Sequence, residues 1–141
     1  MSLMSAYGET AVAAARACQQ GRAGNPCAAW EDAAERLLAT PTLRAKNCPR
    51  SAFLGLCEEG LVQGVPAGSY TRSKKNKAYA LQALRLLKKT PALASDRQQL
   101  WTAVMDGVHK QPNSQMEVVI ALWREQLLHL NRLPDIRQDP A

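Results

Sequence analysis

The sequence predicts an all-α protein, a compact bundle of about six helices. Three observations point there. Apolar residues recur at helical spacing in six separate stretches. Pro26, Pro41 and Pro91 follow Asn or Thr at the starts or just past the ends of those stretches, where a helix tolerates them. Aromatics make up 5% of the residues against 46% apolar in all, which leaves Ala and Leu to fill the core and suits helices in close contact better than a sandwich or barrel. A chain of 141 residues is long enough to bury one continuous core, so a single domain over 4–132 is expected. Met1 to Leu3 read as a cloning scar, and 133–141, with Pro134 and Pro140, as a frayed tail.

The first helix is expected over about 5–20, where Tyr7, Ala11, Ala14 and Cys18 share a face and Gly21 offers a stop. Asn25 and Pro26 form an N-cap followed by a proline at the first helical position, opening a second helix with Cys27, Trp30, Ala34 and Leu37 or Leu38 inward. Thr40-Pro41 ends it. Pro49 marks the first turn of a third helix, with Ala52, Phe53, Leu56 and Cys57 buried and Gly60 past its end. The stretch 64–73, containing Pro66 and Gly68, is the least helical part and reads as an irregular or short β-like excursion. A fourth helix follows from Ser73 or Asn76 to Lys89, with Tyr79 or Ala80, Leu84 and Leu87 inward, and Thr90-Pro91 closes it. Two capping boxes, Ser95 with Gln98 and Ser114 with Glu117, are expected to open the last two helices. Their stripes are Leu100 or Trp101, Val104, Met105 and Val108, then Val118, Val119, Leu122, Trp123 and Leu127 or Leu128.

An internal duplication fits part of this pattern. Ala29-Trp30 to Leu37-Leu38 and Thr40-Pro41 parallel Ala78-Tyr79 to Leu86-Leu87 and Thr90-Pro91. Each unit would be a helix, a threonine-proline break and a second helix bearing an aromatic, Phe53 or Trp101. Chance likeness between amphipathic Ala- and Leu-rich helices is the plain alternative.

No apolar run approaches the roughly 20 residues that span a bilayer, and no export signal is visible, so a cytoplasmic protein without a membrane partner is expected. The cysteines Cys18, Cys27, Cys48 and Cys57 fall in two C-x8-C pairs, wider than zinc sites use. Buried free thiols with no metal and no disulfide are the expectation, and no cofactor is implied.

Charge is uneven along the chain. Residues 63–110 carry nine basic residues against Asp96 and Asp106, whereas every other stretch is near neutral and the whole is +6. The segment Tyr70-Thr-Arg-Ser-Lys-Lys-Asn-Lys-Ala-Tyr79 packs four cations around a helix start, where free N–H groups and the positive dipole end suit phosphate. Arg72, Lys74, Lys75, Asn76, Lys77, Arg85, Lys88 and Lys89 are therefore the candidate site for a polyanion such as a DNA or RNA backbone, by charge neutralisation rather than base reading. An acidic protein partner, in an interaction or regulatory module, is the alternative.

Enzyme chemistry finds little support. His109 and His129 are expected to cap helix ends, Cys48 at a helix start could be a nucleophile only beside a base such as His109, and Glu58 and Glu59 point in different directions on a helix. No phosphate-binding glycine loop, HExxH or G-x-S-x-G pattern occurs.

The phrases GNPCAAW, CPRSAFLGLCEEGLVQG, NKAYA and QMEVVIALW resemble those of a bacterial family of unknown function, which implies a bacterial origin and supplies no activity. Residues 49–65 with the Pro-Gly loop and basic run also resemble part of a winged-helix module. There a recognition helix ends in an acidic-Gly-Leu-Val phrase, here Glu58-Glu59-Gly60-Leu61-Val62, before a basic two-stranded wing. The chain departs from that pattern in entering a helix at Ser73.

Overall fold

The structure, a computed structural model, describes residues 4–133. The helices are α1 (Ala6–Gln19), α2 (Pro26–Leu37), the single turn α3 (Pro41–Arg44), α4 (Asn47–Glu58), α5 (Lys74–Lys89), α6 (Arg97–Met105) and α7 (Gln115–Arg124). Short 3-10 turns span Pro91–Ser95 and Leu130–Arg132. The expected all-α bundle is borne out, with six helices of nine residues or more among the described residues. No strand forms among them. The β-like element is one antiparallel bridge, Val62 with Leu128, just before the expected excursion. The paired strands of a wing are therefore absent from this stretch. The expected scar at 1–3 and the tail beyond Leu133 lie outside the described residues.

Several boundaries follow directly from cap chemistry. Asn25 Oδ1 accepts from Ala28 N at 2.9 Å with Pro26 next to it, and Ser5 Oγ accepts from Gly8 N at 3.1 Å. Neither capping box forms. Asp96 caps α6, its carboxylate accepting from Gln99 N at 3.0 Å, because Ser95 is consumed by the preceding 3-10 turn and donates to Ala92 O. Ser114 is held at φ 72°, and a cap needs extended backbone, so its side chain makes no cap bond to α7. The last turns also end early. Asp106 and Gln126 adopt left-handed backbone, so Val108, expected inward, is 64% exposed, while Leu127 and Leu128 are buried from outside the helix. Leu38 faces the core and Leu37 does not.

Helix α1 packs on α2 and α7, and α4 packs on α5 and α7. Its buried Ala11, Ala14 and Ala15 allow α1 to approach its neighbours closely, as the Ala-rich composition requires. At the α1–α7 crossing a Cβ on Gly8 would stand 2.9 Å from Ala121 Cβ. At the α4–α5 crossing Gly55 lies against the backbone of Lys77. Phe53, Leu54, Leu84 and Leu87 are fully buried nearby, each contributing about 1.5–3 kcal/mol by transfer from water.

The two units of the expected duplication each hold an aromatic pair, tilted at 32° in the first and edge-on at 78° in the second. Trp30 of α2 lies 5.5 Å from Phe53 of α4, and Tyr79 of α5 lies 5.3 Å from Trp101 of α6. Each threonine-proline break becomes a short turn, α3 in the first and a 3-10 turn in the second. Only Thr40 uses its hydroxyl there, accepting from Leu43 N.

Candidate functional site

The segment between α4 and α5 is tied down in two places. Its first residues, Leu61 and Val62, are buried against the chain after α7, with Gln63 N donating to Leu127 O and His129 N to Leu61 O. Its last residues hang on Glu58, whose Oε1 accepts from Tyr70 N at 2.8 Å and Thr71 N at 3.1 Å. Thr71 Oγ1 then donates to Ser51 Oγ, and Ser73 caps α5 by accepting from Asn76 N. One carboxylate on α4 thus sets where the basic segment turns into helix.

Lys77 belongs to the same latch. Its Nζ lies 2.7 Å from Glu58 Oε2 and 2.6 Å from Glu59 Oε2, with the Lys77 and Glu58 side chains only 22% and 13% exposed. Burial works against both charges, yet the bonds from Lys77, Tyr70 and Thr71 prevail and hold the Glu58 carboxyl below its ordinary range. Lys77 is likewise held above its ordinary value by the two carboxylates, against its own desolvation. Asn76 is also inward. Buried at the α5–α7 contact, it donates from Nδ2 to Ser73 Oγ at 2.9 Å and accepts from Gln115 Nε2 at 3.0 Å.

The other candidate residues point outward. Arg72, Lys74, Lys75, Lys88 and Lys89 are exposed, and none makes an ion pair among the described residues. Lys88 Nζ donates to Leu130 O, and the half-buried Arg85 donates to Gln82 Oε1 at 3.3 Å. With Ala80, Ala83, Leu84 and Leu87 marking the buried face, positions 74, 78, 85 and 89 fall on the opposite stripe, and Lys75 flanks it. Lys74 and Lys89 are separated by about 22 Å along the axis. Lys110 joins from outside α5, its Nζ 5.6 Å from the Tyr79 ring centroid. At the start of the stripe a cavity of about 410 Å³ is lined by Glu58, Thr71, Ser73, Lys74, Lys77 and Leu81.

The Glu58 shift sets an acid limb. A carboxyl with a depressed folded-state pKa contributes stability that is fully present above its unfolded value, about 4.3, and is lost as pH falls through the folded one. Urea midpoints are therefore expected to hold steady down to about pH 5 and then fall, and Glu58→Gln is expected to flatten that fall.

No hydrogen bond joins the enzyme candidates among the described residues. Cys48 Sγ accepts from Asn113 Nδ2 at 3.4 Å, and His109 is exposed in the loop after α6. Neither histidine lies in a helix's last turn, since α6 ends at Met105 and α7 at Arg124, so the expected capping role does not arise. All four cysteines are free, but only Cys57 is fully buried, the others being half-buried. Burial pushes the Cys57 thiol well up and raises Cys18 too, away from reactive thiolate. Among the described residues no His, Cys, Asp or Glu group is arranged to hold a metal, and no helix is long and apolar enough to cross a membrane.

Sequence reasoning missed Glu58, Glu59, Ser51 and Gln115 as partners of the basic segment. An acidic pair ending one helix just before a lysine-rich helix start was a signal for the first two; nothing local announces Ser51 or Gln115. A family model, that of a family of unknown function, matches residues 4–129. All four phrases singled out in the sequence lie within it. No curated protein matches the chain, and no solved structure does.

Proposed function

The chain belongs to DUF6979, a family of unknown function, and on that premise we propose that it binds a polyanion through the outward stripe of α5 and the turn before it. Arg72, Lys74, Lys75 and Lys89 carry the contact, with Lys88 and Arg85 adding positive potential. Asn76 and Lys77 serve the fold instead. The supporting observation is a local excess of exposed cations with no acidic residue in their own stretch of chain. Lys77 meets Glu58 and Glu59, while Arg72, Lys74, Lys75, Lys88 and Lys89 are exposed and make no ion pair among the described residues, and no Asp or Glu lies between 60 and 95 to offset them. Such a concentration of one sign raises the local density of anions and their rate of encounter.

Titration with fluorescent heparin tests this reading. The wild type is expected to bind at low salt and weaken steeply as salt rises, and Lys74→Ala with Lys75→Ala is expected to bind at least about tenfold more weakly, with unchanged melting. Absence of binding at low salt would contradict it.

A further inference from the structure

Resting on that reading, we infer that the polyanion is a double-stranded nucleic acid, held by its phosphates without base stacking and without sequence reading. Two features of the surface select it.

The first is the fate of the aromatic rings. Proteins that hold single strands combine cations with exposed aromatic faces on which bases stack. Of the one Phe, three Trp and three Tyr, four are buried and Tyr70, Tyr79 and Trp123 are half-buried, so none offers a fully open face. Tyr79, beside the stripe, meets Trp101 at 78° and carries Lys110 over its ring. Tyr70 donates its hydroxyl to Pro66 O at 2.7 Å, and its ring covers Gly68. With those two rings half-buried and engaged, a single strand would gain charge neutralisation here and little for its bases, while losing its flexibility. A duplex is already stiff and carries twice the charge per length, one per about 1.7 Å of axis.

The second is the engagement of the groups that could read bases. Arg and Gln are the residue types that recognise guanine and adenine edges, and α5 places Arg85 and Gln82 on its outer side. They are bonded to each other and half-buried. Asn76 is committed to Ser73 and Gln115. What remains outward on α5 is lysine at both ends of a rigid helix with Ala78 between them, and Arg72 stands in the turn before it, off the helix that would enter a groove. Lysines so placed suit phosphate contacts, which position a duplex without reading its sequence.

The test is affinity against salt concentration for duplexes of about 20 base pairs in two unrelated DNA sequences, a duplex RNA, the corresponding single strands and polyglutamate, with heparin as control. The two DNA duplexes are expected to agree within about threefold and to exceed the single strands about tenfold, with a log–log salt slope near −4 for four phosphate contacts. Lys74→Ala with Lys75→Ala is expected to bring that slope down by about 2. The preferred duplex, DNA or RNA, identifies the source of the backbone, and either supports the inference. Single strands or polyglutamate binding as tightly as duplex, or one duplex sequence preferred more than about tenfold, overturns it while heparin binding keeps the broader reading intact. Failure of heparin and duplex alike overturns both.

Discussion

Replacing Gly55 with alanine is expected to destabilise the protein by about 2 kcal/mol, although alanine is the better helix former by up to about 1 kcal/mol. The added Cβ would lie 2.7 Å from Lys77 Cβ and 2.8 Å from Lys77 Cα. A flexible side chain could swing away from such a contact. The backbone of the facing helix cannot, so α4 and α5 must separate, and overpacking of this kind costs about 1–3 kcal/mol or more. The separation also pulls Lys77 from Glu58, adding to the upper end of that range. Gly24, with no atom within 4 Å of a built Cβ and no positive φ, is the internal control. Urea unfolding should show a lower midpoint for Gly55→Ala and a midpoint equal to or above wild type for Gly24→Ala.

Lys77→Met is expected to cost a comparable amount, about 2 kcal/mol. Removing one partner of a fully buried pair costs about 3–5 kcal/mol, and here the carboxylates retain some water, with Glu58 13% and Glu59 34% exposed, which reduces the penalty. Methionine keeps most of the stem that packs on Gly55, so the loss reports the charge. For a chain of this size the shift in Tm is about 8 °C. Lys74→Ala with Lys75→Ala, at exposed positions outside any ion pair, should move Tm by no more than about 2 °C.

Much of the fold was legible because its signals are local. Asn25-Pro26 and Ser73 each satisfy orphan N–H groups within one turn, so neighbouring residues suffice to place them. The capping boxes misled because Ser95 and Ser114 compete with loop demands: a 3-10 turn takes one, and left-handed backbone turns the other away. The basic segment was legible as a charge density and illegible as a division of labour. Asn76 shares a helical stripe with Ala80 and Ala83, but a polar residue in the first turn of a helix is as readily a surface group, and only the partner Gln115 shows it to be inward. Lys77 sits at the edge of that stripe, and its role depends on carboxylates 18 and 19 positions earlier, which only the packing of α4 on α5 brings near. Gln115 is farther still, 39 positions from Asn76.

Lys77 and the outward lysines are assigned opposite tasks, and heparin affinity of two variants, measured side by side below the Tm of both, separates them. Lys77→Met should retain wild-type affinity within about threefold, whereas Lys74→Ala with Lys75→Ala should lose about tenfold or more. Equal losses in the two proteins would contradict that assignment, since they would place Lys77 on the binding surface rather than in the latch that holds it.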